Sequence, residues 1–111
     1  MATLPVKVVP HGGLSLATGD YAAATDTGDK SATGSGVLLL VANGDAAAHT
    51  VTITIPETVD GLAVTSREVV IPAGDTGLIP LLDLYADPST GLASWTYDAV
   101  TTVTVVVIRA A

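Results

Sequence analysis

The sequence predicts an all-β fold: a single antiparallel β-sandwich or small jelly roll with an extended N-terminal arm. Val, Ile and Thr are frequent, and side chains branched at Cβ suit a pleated strand. The 11 Gly and 6 Pro break the chain at short intervals, and no segment keeps a helical period. With 111 residues, 49% of them hydrophobic, the chain has room for one domain with one core.

Residues 1–35 are predicted to be the arm, which is partly irregular, and residues 36–111 to be the sandwich domain. In the arm, Val6, Val8 and Val9 lie between Pro5 and Pro10, a pattern that indicates an edge strand or an extended segment. Residues 11–35 are rich in Gly, Ala, Thr, Ser and Asp and show no period. Such a long segment without structure is unusual in a compact domain, so we expect it to be mobile or ordered by a partner.

The first core strands are predicted from residue 37 onward. Residues 37–42 form a continuous apolar run, which is typical of a strand covered on both faces. Residues 49–55 alternate between Val or Ile and Thr, the pattern of a half-buried strand. Asn43-Gly44-Asp45 supplies turn chemistry between these segments, so we expect an antiparallel hairpin.

The rest of the chain continues as strands and turns. We expect residues 94–97 and 102–108 to form the last strand pair around Asp98-Ala99, and residues 83–92 to form a loop with one helical turn. The other predicted features are strands at residues 67–71 and 76–82, a turn at residues 72–75 and a turn at Val59-Asp60-Gly61.

Charge and composition exclude several functions. The net charge is −7, with only four Lys and Arg residues, so neither nucleic acid nor an anionic membrane is an expected partner. There is no Cys, which excludes disulfides. The longest apolar run, residues 37–42, is too short to span a membrane. The first ten residues hold no apolar stretch of signal-peptide length, and we expect synthesis and folding in a cytoplasm.

The sequence offers no catalytic set, so we predict that the protein is not an enzyme and uses no cofactor. His11 and His49 are the only histidines; His11 is interpreted as a contact residue and His49 as a strand-edge or surface residue. Gly34-Ser35-Gly36 lacks the full nucleophile-elbow pattern. The spacing of the Asp residues matches no calcium loop, and no zinc motif is present, so no metal site is predicted.

Aromatic residues leave two interpretations open. Trp95 and Tyr97 alternate with Thr96, so both rings lie on one face of a strand. That face is either part of the core or an interface, or else an exposed platform for sugars, as in carbohydrate-binding modules. Tyr21 and Tyr85 are interpreted as contact residues, because rigid aromatic side chains concentrate binding energy.

Residues 38–109 resemble small proteins encoded by phages of actinobacteria. The matching pieces are LLLVANGDAAAHTVTITIP, TVDGLAVTSREVVIPAGDTGLIPL and VTTVTVVVIRA. The order of an apolar strand, an Asn-Gly turn, a Thr-alternating strand, Val-Asp-Gly-Leu-Ala-Val and a Val-Ile-Pro-Ala-Gly turn is shared, over about two thirds of the chain. Such proteins are head decoration, or cement, proteins.

The resemblance implies a structural virion protein that binds the outer surface of the major capsid protein lattice and stabilises the head. It also implies a homo-oligomer, with a trimer favoured, located on the outer capsid surface after synthesis in the bacterial host cytoplasm. The alternatives are a carbohydrate-binding β-sandwich module or another phage structural subunit of the tail or minor capsid. The candidate capsid-binding or partner-binding residues are Val6, Val8, Val9, His11, Leu14, Leu16, Tyr21 and Tyr85.

Overall fold

The computed structural model describes residues 2–16, 18–56, 58–59, 62–63 and 66–110. In this part of the chain two sheets pack against each other, which confirms the predicted all-β sandwich. Two short 3-10 turns cover Thr18–Asp20 and Asp83–Tyr85. The strands are β1 (Ala2–Thr3), β2 (Val6–Val9), β3 (Ala22–Ala23), β4 (Asp29–Ala32), β5 (Val37–Asn43), β6 (His49–Ile53), β7 (Thr58–Val59), β8 (Leu62–Ala63), β9 (Arg67–Ile71), β10 (Thr76–Pro80), β11 (Leu92–Tyr97) and β12 (Val103–Ala110).

Both sheets are mixed rather than purely antiparallel. Sheet 1 has the strand order β1-β4-β11-β6-β9. Sheet 2 has the order β10-β5-β12-β2, and β3 also pairs with β12. β1 runs parallel to β4, and β2 runs parallel to β12, while the other pairs in the two sheets are antiparallel. β7 and β8 form a small separate ladder.

The core lies between the inward faces of the two sheets. In β6, Val51 and Ile53 point inward and are buried, whereas Thr50 and Thr52 are half-buried on the outer side, as the alternation predicts. In β5, Leu39 and Val41 point inward. Trp95, the largest fully buried side chain, is in the same core. Burial of each such aliphatic side chain stabilises the fold by about 1.5–3 kcal/mol relative to exposure.

Three connections cross from one sheet to the other at the same end of the sandwich. We call them corner one (residues 44–48), corner two (residues 72–75) and corner three (residues 98–102). The predicted β5–β6 hairpin and the predicted β11–β12 pair are therefore wrong, since the members of each lie in different sheets. β5 is apolar on both faces and takes the central position in sheet 2, between β10 and β12. The corners connect strands across the space between the sheets, about 10 Å.

Strands within residues 1–35 belong to both sheets. β2 extends sheet 2 beside β12, and β4 lies in sheet 1 between β1 and β11. Leu4 is buried against the core, as are Asp29 and Ser31 of β4. The interpretation as an arm beside the sandwich therefore fails for these strands, because their backbones are paired and β4 has an inward face. The stretch between β2 and β3 is irregular apart from the 3-10 turn at Thr18–Asp20.

Two further predictions concern connections. The helical turn expected in residues 83–92 is present as the 3-10 turn Asp83–Tyr85. In the turn predicted at Val59-Asp60-Gly61, Asp60 and Gly61 lie outside the described residues.

Candidate functional site

The outer face of sheet 2 is apolar, although it lies on the side of the sheet that points away from the core. The register aligns its outward side chains across three strands: Leu78 and Pro80 beside Leu40 and Leu38, and these beside Val106 and Ile108. Leu78 is 60% exposed, whereas Leu40 and Val106 in the centre are buried, with exposures of 8% and 4%. We call this surface the apolar face; it consists of Leu38, Leu40, Ala42, Leu78, Pro80, Val106 and Ile108.

The margins of the apolar face are polar. Thr76 and Thr104 lie at the end near the corners, and Lys7 lies beside Ile108 at the β2 edge. Among the described residues of sheet 2, no carboxylate points outward from this face. The face is therefore neutral over its centre in a chain whose net charge is −7.

The outer face of sheet 1 is more polar, although it includes Val70, which is 63% exposed. Thr52 lies between Thr96 and Glu68, and Ser94 lies beside Lys30. We call this surface the threonine face; it also carries Thr50, Val70 and Leu92. Hydroxyl and charged groups on it make hydrogen bonds to water at little cost, so this face suits solvent.

The predicted partner-binding residues are dispersed, and one is misplaced. Val8, His11 and Leu14 are exposed. The other residues of the set that lie near the surface, Val6, Val9, Leu16 and Tyr21, are half-buried. The interpretation of Tyr85 as a contact residue is wrong, because its side chain is only 2% exposed and belongs to the core.

Tyr21 lines a cleft of about 170 Å³ at the edge of sheet 2. The cleft lies where β2 and β3 pair with successive stretches of β12, and Val106 contributes to its wall. Lys7 and Asp20 lie at the cleft, with 3.6 Å between Nζ and Oδ1. This contact links the segment before β3 to β2. The cleft is therefore the gap between these two segments, and it adjoins the apolar face.

Asn43 joins corner one to corner two. Its side chain is buried, and its Nδ2 donates to the carbonyl oxygens of Ala47 at 2.9 Å and Ile71 at 3.0 Å. Its backbone N–H donates to Asp75, and its carbonyl accepts from Gly74. One side chain and its own peptide groups thus satisfy backbone groups from both corners, which is what a buried amide requires.

His49 joins corner one to corner three. Its side chain is 8% exposed; Nε2 lies 2.9 Å from Oδ2 of Asp45, and Nδ1 lies 3.0 Å from Oδ1 of Asp98. The hydrogen bond to Asp45 raises the pKa of His49; burial acts in the opposite direction, and Asp98 adds to the increase. The position of His49 at the start of β6 agrees with the strand-edge interpretation, whereas the surface interpretation is wrong because the side chain is buried. Asp45 comes from the turn directly before β6, and Asp98 comes from a turn 49 residues away in the chain.

A second polar chain lies inside the sandwich. Trp95 Nε1 donates to the hydroxyl of Tyr97 at 2.8 Å, and this hydroxyl donates to Oδ2 of Asp29 at 2.7 Å. The backbone N–H of Thr25 also donates to Oδ2 of Asp29, whereas Oδ1 is buried without a partner among the described residues. Burial, followed by the bond to Asp29, raises the pKa of Tyr97 far above its ordinary value, so the phenol remains a donor.

Neither polar cluster has the geometry of a metal site or of a nucleophile with its base. Asp45 and Asp98 contact opposite nitrogens of one imidazole, so their oxygens do not converge on a common point. In the described part of the chain, no group of three or more His, Asp or Glu residues is placed to hold a metal ion. Both clusters connect backbone segments and are therefore structural in their observed contacts.

No protein-family model matches the chain, and neither a curated protein nor a solved structure matches it. Among the described residues, no helix has the length and apolar character needed to cross a membrane.

Proposed function

We propose that this protein is a structural virion protein, a capsid decoration or cement protein that binds the outer surface of a major capsid protein lattice and stabilises the head. The observation that carries the proposal is the apolar face of sheet 2, which lies opposite the threonine face of sheet 1. The resemblance of residues 38–109 to phage decoration proteins supplies the class of partner.

The apolar face suits a broad protein surface better than it suits water. Leu78 and Pro80 on the outer strand are exposed, and Leu38 and Ile108 are half-buried beside them. Leu40 and Val106 are already buried within the chain, so the accessible apolar surface is limited to the other members of the face. Exposed apolar surface marks interaction sites on soluble proteins. Because the exposed part of the face carries no carboxylate, a capsid protein covers it without desolvating one, a step that would cost free energy. The threonine face then remains toward solvent.

The free edge of β2 offers a second contact. β2 is the last strand in the order of sheet 2, and Val8 in it is 51% exposed. An outer strand adds a strand from a partner through backbone hydrogen bonds. Pro5 and Pro10 flank β2 and confine such pairing to four residues.

The alternatives have less support. The sugar-platform interpretation needs exposed rings, but Trp95 is 0% exposed, so its face cannot stack on a sugar. A tail or other assembly subunit shares the need for an apolar contact surface. It differs in that it polymerises alone, whereas a decoration protein remains a small oligomer, with a trimer expected.

Co-sedimentation of the purified protein with undecorated phage capsids tests the proposal, together with the solution mass from light scattering. We expect saturable binding at a fixed copy number per capsid and a small oligomer in the absence of capsids. Polymerisation without capsids would favour the other structural subunit. A stable small oligomer that does not bind the undecorated capsids of any phage tested would contradict the decoration role.

A further inference from the structure

We propose that His49 is a proton-controlled clamp: it holds the side chains of Asp45 in corner one and Asp98 in corner three when both ring nitrogens carry protons, and it releases the Asp98 side chain when one proton is lost. The imidazole lies between Asp45 and Asp98 at hydrogen-bond distance from each, with 8% of the side chain exposed. This inference is independent of capsid binding.

The two contacts require the imidazolium. Carboxylates are acceptors only, so each contact needs a donor from the ring. The imidazolium has two N–H groups, but neutral imidazole has one. After deprotonation, one of the two carboxylates therefore faces a nitrogen lone pair at about 3 Å, the distance at which two acceptors repel.

The contact that breaks on deprotonation is the one to Asp98. The Asp98 side chain is 47% exposed, against 27% for Asp45, so Asp98 regains water at the lower cost. Corner three also contains Thr102, whose φ of 57° is unusual for a residue other than Gly. Corner three stays attached through its backbone, since Gly44 N–H donates to the carbonyl of Thr102 and Asp98 N–H donates to the carbonyl of Thr50, both at 3.0 Å. The change on deprotonation is therefore confined to the Asp98 side chain and the groups bonded to it.

The groups that face His49 are all acidic or neutral. Corner one contributes Asp45, corner three contributes Asp98, and β9 contributes Ile71 as the register partner of His49. From corner two, the backbone carbonyl of Asp75 accepts from Asn43, and the Asp75 carboxylate makes no hydrogen bond or ion pair with His49. Among the described residues, no Lys or Arg forms an ion pair with Asp45 or Asp98. The imidazolium is therefore the cation that compensates these two carboxylates.

The direction of the pH dependence follows from these contacts. The pKa of His49 is raised above 6.5, so the stabilisation it gives is complete at pH values below 6.5 and is lost as the pH rises through the raised value. The hydrogen bond from His49 lowers the pKa of Asp45. For Asp98, burial acts to raise the pKa, but hydrogen bonds from Thr50, His49 and Ala99 together lower it. The clamp is thus closed between the lowered carboxyl pKa values and the raised His49 pKa, and it opens on the alkaline side.

An NMR titration of the full chain tests the clamp. The ring signals of His49 and His11 and the backbone amide signals are followed from about pH 4 to about pH 10. We expect the His49 midpoint to lie above 6.5, and the amide signals of residues 98–102 to change with the same midpoint. The amides of residues 33–36, at the opposite end of the sandwich, serve as the internal control and should not follow it.

Three variants separate the clamp from general effects of charge. Asp98→Asn should lower the His49 midpoint, and His49→Gln should abolish the pH response of residues 98–102. Asp83→Asn removes one carboxylate at the other end, where Asp83 accepts from Thr33, and should leave both unchanged. If the His49 midpoint lies below 6.5, or if the signals of corner three do not follow it in the unmodified chain, the clamp does not exist.

Discussion

At the residue scale, the buried polar chain from Trp95 through Tyr97 to Asp29 ties β11 to β4. Each hydrogen bond in it is at most 2.8 Å long, and the hydroxyl of Tyr97 serves both as acceptor and as donor. Loss of that hydroxyl leaves an indole N–H without its partner and removes one donor from a buried carboxylate. Such unsatisfied groups cost more than the average hydrogen bond contributes.

We predict that Tyr97→Phe lowers the free energy of unfolding by about 1–3 kcal/mol. The matched control is Tyr21→Phe, which removes the same atom from a half-buried ring at the surface cleft and should change stability by less than about 0.5 kcal/mol. Urea denaturation followed by Trp95 fluorescence measures both variants. Equal effects of the two substitutions would show that the buried chain contributes no specific stability.

Sequence reasoning at this scale was correct for apolar residues and incomplete for polar ones. The strict alternation in residues 49–53 gave the inward and outward faces of β6 correctly. Asp29 lies in the segment that the sequence predicts to be irregular. A strand that buries Asp and Ser does not show the apolar alternation by which strands are recognised. Its partner Tyr97 is 68 residues away in the chain, and only tertiary structure connects them.

At the element scale, corner two depends on a close approach between β9 and β10. Gly77 faces the core, and a Cβ at this position would lie 2.8 Å from Cγ1 and 2.9 Å from Cδ1 of Ile71. Ile71 is fully buried and cannot move without disturbing its neighbours, since protein cores are close-packed.

We therefore predict that Gly77→Ala destabilises the protein by about 1–3 kcal/mol through overpacking. The control is Gly12→Ala, because nothing lies within 4 Å of the Cβ position at Gly12, and the change there should be within about 0.5 kcal/mol of neutral. Thermal unfolding of both variants measures the difference. A neutral Gly77→Ala would mean that β9 and β10 separate more easily than their packing indicates.

The N-terminal strands lead to a prediction about truncation. Removal of residues 1–10 deletes β1, β2 and the buried Leu4. We expect it to lower the free energy of unfolding by about 2–5 kcal/mol or more, the cost of a large-to-small core change, and to leave a folded domain. Removal of residues 1–35 also deletes β4, which covers Trp95 through its pairing with β11. We expect this longer truncation to be unfolded, with red-shifted Trp95 emission and high quenching by acrylamide. Native emission from it would contradict the role of β4.

At the scale of the whole molecule, the strands were largely predictable but the connections were not. An Asn-Gly dipeptide predicts that the chain reverses direction. It does not show whether the two flanking strands lie in one sheet or in two different sheets. The run at residues 37–42 predicts a strand covered on both faces. On the outer side of β5, Leu40 is buried but Leu38 and Ala42 are half-buried, so this side is only partly covered within the chain. The same run supplies Leu38 and Leu40 of the apolar face. The sequence does not show that Leu78 and Ile108 lie beside them, because that depends on the register of the strands.

The two outer faces of the sandwich differ in polarity. The apolar face presents a neutral, partly exposed surface, and the threonine face presents hydroxyl and charged groups. If the proposed function is correct, exposed residues on the two faces differ in their effect on capsid binding, although both kinds lie on outer surfaces.

The most direct test is capsid co-sedimentation with two variants that add the same charge to opposite faces. Leu78→Glu adds a carboxylate to the apolar face at a side chain that is 60% exposed, and Thr96→Glu adds one to the exposed position Thr96 on the threonine face. Light scattering and thermal unfolding first establish that both remain folded with the oligomeric state of the unmodified chain. We predict that Leu78→Glu weakens capsid binding at least about tenfold, or about 1.4 kcal/mol, and that Thr96→Glu binds normally. Normal binding by Leu78→Glu, or equal losses in the two variants, would contradict the assignment of the apolar face as the capsid-binding surface.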